Sequence, residues 1–180
     1  MNDIEIKIGG LGGQGVILTG IIIGRAATIY DNKYATMIQS FGPEARGSAC
    51  SAQLIISDNP ILYPYVTKPH TLMVISQDAY NRFYQEMHED GHLLIEADLV
   101  QTTSINPKIK IDSIPATRFA EELGRRLIVN IVMLGFFAAR TSIVDANAIR
   151  KAVLDSVPAG TEELNLQAFE KGYQYGKSIQ

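Results

Sequence analysis

Three stretches of the chain gather residues whose types and spacing could do chemistry. The first is Gly9-Gly10-Leu11-Gly12-Gly13-Gln14-Gly15, in which Gly10, Gly12 and Gly15 carry the spacing G-x-G-x-x-G. Glycines let a turn close tightly and let backbone N–H groups approach an anion, and a helix starting beyond them adds about half a positive charge. Gly10, Gly12, Gly13, Gln14 and Gly15 are therefore candidates to hold a phosphate or another anionic group. The same glycines are equally explained if they only let a helix pack close to the sheet or to another chain. The second stretch is Gln39-Ser40-Phe41-Gly42-Pro43-Glu44-Ala45-Arg46-Gly47-Ser48. Gly42, Pro43 and Gly47 stiffen a loop that presents Phe41, Glu44 and Arg46. The Arg46 guanidinium can clamp a carboxylate or phosphate with two parallel hydrogen bonds, or it can pair with Glu44 in solvent, where such a pair is worth little. The third is Asn130, set in the apolar run 127–139. A buried amide needs partners, either inside the fold or on a ligand or neighbouring subunit.

Other chemistries are harder to build. His70, His88 and His92 do not have a metal-ligand spacing. Cys50 is the one cysteine, so an internal disulfide, a CxxC pair, a four-cysteine zinc site and an iron–sulfur cluster are all excluded. It lies in a strand-like stretch and reads as an inert core thiol. No Ser, His and Asp set suits a catalytic triad. The dinucleotide reading of the glycine run also meets an obstacle. It requires Asp or Glu at the end of the second strand for the ribose hydroxyls, and that place reads Met37-Ile38-Gln39-Ser40. A phosphate loop of the lysine type fails too, because no Lys-Ser or Lys-Thr follows the glycines.

The elements that must position these residues follow from periodicity. Ile4, Ile6 and Ile8 alternate with Glu5 and Lys7 and run straight into the glycines, a strand ending in a turn. A helix is expected over 15–27 despite its β-branched content. Strands are expected over 34–39, 49–57, 71–75, 93–96 and 108–111, with Asp58-Asn59-Pro60 as a turn. Helices are expected over 77–87, capped by Ser76, over 116–123, 127–139 and 146–154, and from Thr161 onward. The run 127–139 is apolar all round and so should be enclosed. Strands alternating with helices predict an α/β fold: one Rossmann-like, three-layer domain spanning residues 1–180, with a mostly parallel sheet and helices on both faces.

Composition narrows the function classes. The 180 residues are 46% hydrophobic and 19% charged, too apolar for disorder. A net charge of −3 argues against the basic stripe of a nucleic-acid binder. The N-terminus is acidic and unlike a signal peptide. No apolar run reaches the roughly 20 residues a membrane-spanning helix needs. A cytoplasmic chain with no membrane partner is expected.

Taken together, these segments resemble the gamma subunit of 2-oxoacid:ferredoxin oxidoreductases. The likeness rests on Gly-Gly-Leu-Gly-Gly-Gln-Gly-Val at 9–16, Gln-Ser-Phe-Gly-Pro-Glu-Ala-Arg-Gly at 39–47, Ile-Ile-Ser-Asp at 55–58, Tyr63-Pro64 and Ser76-Gln77-Asp78-Ala79-Tyr80. It continues through Ile114-Pro115-Ala116-Thr117, 130–135, Asn165 and Ala168-Phe169, from Ile4 to about Tyr173. The loop form Gly-Pro-Glu-Ala-Arg-Gly is most similar to the 2-oxoglutarate type, ahead of the pyruvate, 2-oxoisovalerate and indolepyruvate types. Ser48 departs from relatives that carry a further Gly there. The resemblance implies a multisubunit enzyme that makes succinyl-CoA from 2-oxoglutarate and reduces ferredoxin. It implies thiamine diphosphate, Mg2+ and iron–sulfur clusters on alpha, beta and ferredoxin-like delta partners, with coenzyme A as cosubstrate and no catalytic residue or metal on this chain. Gly10, Gly12, Gly13, Gln14 and Gly15 would then meet an anionic group of coenzyme A. Gln39, Phe41, Gly42, Pro43, Glu44, Arg46, Gly47 and Asn130 would line a subunit interface or the substrate approach. A homodimer of the isolated chain stays open, and a stand-alone dinucleotide-binding protein is the rival of a different class.

Overall fold

The computed structural model describes residues 3–42 and 47–179. Its frame is a six-stranded sheet in the order β2-β3-β1-β4-β5-β6. The strands are β1 (Ile4–Leu11), β2 (Tyr34–Phe41), β3 (Ala49–Ser57), β4 (Thr71–Val74), β5 (His92–Glu96) and β6 (Lys110–Ile114). The pairs β1–β4, β4–β5 and β5–β6 are parallel, while β3 runs antiparallel to both β1 and β2. The expected parallel sheet thus holds over the β1 half and gains one reversed strand. The reason is local. No helix-length segment separates Phe41 from Ala49, and a parallel neighbour needs a long crossover. β2 and β3 therefore close as a hairpin, with Phe41 opposite Cys50 and Gly42 N–H donating to the Ala49 carbonyl at 2.9 Å.

The helices are α1 (Val16–Arg25), α2 (Gln77–Phe83), α3 (Ala116–Glu122), α4 (Val129–Arg140), α5 (Ala146–Leu154) and α6 (Glu162–Ser178). α1 runs on into a π turn, Ala26–Tyr30, and α2 into a 3-10 turn, Tyr84–Glu86, which together account for the longer helices read from the sequence. Strand alternation sorts the sheet residues to two faces. Ile6, Ile8, Ala52, Leu54, Met73, Ile75 and Leu94 join the large core under α1, α3, α4, α5 and α6. Leu72, Val74, Leu93 and Ile95 pack with Ala79, Tyr80 and Phe83 of α2 in a second core. Both faces are covered, one far more heavily. Phe136, Phe137 and Phe169 are fully buried in the larger core, and each such side chain contributes roughly 1.5–3 kcal/mol of transfer free energy.

α4 is enclosed as its apolar circumference demands: every residue from Val129 to Ala138 is buried. It crosses α6 in backbone contact. A Cβ at Gly172 would lie 1.9 Å from the Val132 carbonyl oxygen, and one at Gly135 would lie 2.0 Å from that of Phe169. Contacts advance together along the two helices, Val132 with Gly172 and Ala139 with Gly176, so α4 and α6 run parallel. Arg140 at the end of α4 fixes the last turn of α6, donating to the carbonyls of Gly176 at 3.1 Å and Ile179 at 2.9 Å. Its other edge forms a fork with Asp112 of β6, at 2.7 and 3.1 Å.

Candidate functional site

The carboxyl ends of β1 and β4 are where this fold opens. β1 leads into α1 on one face of the sheet, and β4 leads into α2 on the other. Chains that diverge to opposite faces leave a crevice between adjacent strand ends, and open α/β sheets receive ligands there. A cleft of about 340 Å3 lies at this point, lined by Leu11, Gln14, Ile75, Ser76, Gln77, Asp78, Leu99 and Arg126. A neighbouring cavity of about 140 Å3 adds Gly13, Thr117 and Leu127.

The glycine run forms the floor of the crevice. Gly9, Gly10 and Leu11 finish β1, and the turn proper is Gly12 to Gly15. Gln14 braces it: its side-chain oxygen accepts from Leu11 N–H at 2.7 Å, and its side-chain amide donates to the Ile75 carbonyl at 3.2 Å, tying the ends of β1 and β4 together. Gly12 is occupied as well. Its N–H donates to the Ser48 carbonyl at 2.9 Å, and its own carbonyl accepts from Gly47 N–H at 3.3 Å. The glycine run and the second loop are thus joined by backbone hydrogen bonds at one end of the sheet.

Gly15 stands at the N-terminus of α1 with φ 74, a left-handed conformation that costs any other residue. A Cβ there would lie 2.5 Å from the Asn130 side chain. Asn130 is 3% exposed and donates to the Gly15 carbonyl at 3.4 Å and to Thr19 Oγ1 at 3.5 Å. Thr19 closes the knot by donating its hydroxyl to the same carbonyl at 3.0 Å. Asn130 therefore pins α4 to the start of α1, the anchoring role open to a buried amide. Gly13, with φ 98 and no neighbour within 4 Å of its Cβ position, faces open space.

Gln39 and Phe41 are exposed at the end of β2, Phe41 at 64%. Gly42 and Gly47 flank the second loop, while Pro43, Glu44 and Arg46 lie outside the described residues. The dinucleotide reading loses ground on topology. β3, not β2, sits beside β1, and it offers the glycine turn the Ser48 carbonyl, a group that accepts rather than donates.

Arg126 rims both openings of the crevice, 3.8 Å from Glu121 and 69% exposed. Nothing in the local sequence singles it out; only the tertiary placement of the 3-10 turn Arg126–Ile128 does. Ser76, which the sequence did mark as a helix cap, accepts from Ala79 N–H at 3.2 Å and forms the opposite wall. Cys50 is 6% exposed, and burial pushes its thiol pKa up, away from nucleophilic use.

With this geometry, the family model for pyruvate ferredoxin/flavodoxin oxidoreductase matches residues 5–175. The chain belongs to that family. It is 48% identical to the 2-oxoglutarate synthase subunit KorC of Methanocaldococcus jannaschii, over 97% of this chain and 95% of that one. The gamma subunit of a keto/oxoacid ferredoxin oxidoreductase from Geobacter sulfurreducens has the same fold, with a TM-score of 0.88 and 36% identity over 98% of this chain and 97% of that one. The ketoisovalerate oxidoreductase subunit VorA of Methanothermobacter thermautotrophicus is 26% identical over 97% of this chain, which spans 37% of VorA. Members of the pyruvate ferredoxin/flavodoxin oxidoreductase family therefore carry this fold both as a separate chain and as part of a longer one.

Proposed function

We propose that this gamma-type subunit serves an oxidoreductase that converts 2-oxoglutarate and coenzyme A to succinyl-CoA and carbon dioxide, passing the electrons to ferredoxin. The observation that carries the reading is the 48% identity, over nearly the whole chain, to a 2-oxoglutarate synthase subunit. Thiamine diphosphate with Mg2+ and the iron–sulfur clusters belong to alpha, beta and ferredoxin-like delta chains. The donor set of this chain supports that division. Its one thiol is buried with a raised pKa, and the described residues include no cluster of metal-ligating side chains. The described residues do not fit a cluster or a metal.

What this chain supplies is shape and charge at the crevice. The Gln14 side chain, both backbone groups of Gly12 and the Gly15 carbonyl are spent on internal bonds, so the glycine turn acts as a brace. Among the described residues the cation lining the rim is Arg126, 3.8 Å from Glu121, which can meet an anionic group of coenzyme A arriving between the chains. A cytoplasmic location is part of this reading. No helix among the described residues is long and apolar enough to cross a membrane. The test is ferredoxin reduction by the purified complex with 2-oxoglutarate, pyruvate, 2-oxoisovalerate or indolepyruvate. The highest kcat/KM is expected with 2-oxoglutarate; a higher value with any of the others contradicts the assignment.

A further inference from the structure

The end of the sheet opposite the crevice carries an exposed apolar surface. β3 leaves the sheet at Ser57, beside Tyr34 of β2, and the chain then crosses to the start of β4 at Thr71. No residue between Asp58 and Lys68 bears a formal charge. Leu62 is 95% exposed, Tyr63 62% and Tyr65 56%. The segment is nevertheless held in place. The Glu5 carboxylate accepts the N–H groups of Thr67 and Lys68, both at 2.7 Å, and the Glu5 carbonyl accepts His70 N–H at 2.8 Å. Asn59 N–H donates to Ser57 Oγ at 3.1 Å, the Tyr63 and Tyr65 rings pack 5.3 Å apart, and Pro60 and Pro64 restrict the backbone. A pre-ordered, uncharged strap led by one leucine and two tyrosines has the composition of an interface core, and its rigidity lowers the entropy lost on docking.

The termini say what covers it. β1 begins at this end, with Ile4 opposite Ile56 of β3. α6 runs parallel to α4 and finishes here too, with Tyr173 and Lys177 beside Asp31 and Lys33, just ahead of β2. A longer family member such as VorA, of which this chain spans 37%, must continue from one of these two ends. Its additional polypeptide therefore departs from the end that bears the strap. We infer that strap residues 60–65 are the docking surface for a separate subunit of the same oxidoreductase, the one equivalent to the part of VorA that this chain lacks. This rests on the subunit reading above and adds its location. The contact lies at the opposite end of the sheet from the crevice, so holding the chain in the complex is separated from the approach of coenzyme A.

The test co-expresses the full chain with that VorA-like partner, tagged on the partner, and reads the amount of this chain retained by native mass spectrometry. Leu62→Asp should cut retention at least about tenfold, the order expected for losing one buried leucine and inserting a charge. Leu62→Met should retain the chain as the wild type does. The thermal midpoint of the isolated Leu62→Asp chain should stay within about 2 °C of wild type, as for a surface change. Equal retention of wild type and Leu62→Asp overturns the strap as the docking site while leaving the subunit reading intact. Failure of the wild-type chain to be retained overturns both. A homodimer of the isolated chain that Leu62→Asp dissolves, with the complex unaffected, assigns the strap to a second copy and overturns the inference.

Discussion

Replacing Gly15 by alanine separates the packing and anion-binding readings of the glycine run. The substitution forces a side chain into a position with φ 74, at a cost of about 1–2 kcal/mol. It also sets a methyl group 2.5 Å from Cγ and Nδ2 of Asn130, in a site with no slack. Overpacking of this kind costs about 1–3 kcal/mol, so Gly15→Ala should lose about 2–5 kcal/mol in total. Asn130→Ala alone gives up two long hydrogen bonds, at 3.4 and 3.5 Å, and should lose about 0.5–1.5 kcal/mol. The double variant removes the amide from the methyl's path. The Cβ that stays at position 130 lies 3.0 Å away, which a small shift of α4 can absorb. Together the two changes should then cost about 1–2 kcal/mol less than their sum. Urea unfolding of the four proteins measures this directly. Additivity within about 0.5 kcal/mol would refute the claim that Gly15 is a glycine because Asn130 lies against it.

Three further outcomes follow from the same structure. Gly172→Ala puts a Cβ 1.9 Å from a backbone oxygen of α4 and should destabilise the fold by about 3 kcal/mol, read as a fall in urea midpoint; a change within error means the helices are not in contact there. Arg126→Ala should leave assembly intact and raise the KM for coenzyme A about fivefold, an effect of roughly 1 kcal/mol; an unchanged KM removes Arg126 from the approach path. Burial holds the His92 pKa down, and its 2.7 Å hydrogen bond with Asp112 opposes this only in part. A pKa lowered by folding contributes stability that is full above the unfolded value of about 6.5 and is lost as pH drops through the folded value. His92→Gln should therefore flatten the decline in urea midpoint between about pH 7 and pH 5, and parallel profiles would contradict this.

Much of the fold was legible because single elements announce themselves. The alternation of Ile4, Ile6 and Ile8 marks β1, and the unbroken apolar character of 129–138 marks an enclosed α4. α1 was recognised against its β-branched content because a glycine turn opens it. What failed was relational. The sequence showed strands on both sides of the 40–48 loop, but the reversal of β3 follows from what that short connection cannot span. β6 lies at Lys110–Ile114 rather than 108–111 because an edge strand alternates polar and apolar residues and blurs its own ends. At the site, the glycine run and Asn130 stood out by type. Their partners are the carbonyls of Ser48, Ile75 and Gly15, backbone groups that every residue carries and no sequence can mark. Arg126 was missed because an exposed arginine on a short turn becomes a rim residue only when other elements build the crevice beneath it.

The most direct test of this chain's place in catalysis is reconstitution by omission: partner chains with and without it, assayed for 2-oxoglutarate-dependent reduction of ferredoxin in the presence of coenzyme A. Turnover should require its addition, and the chain alone should show none. Full activity of the partners without it, or turnover by the chain alone, would contradict the account.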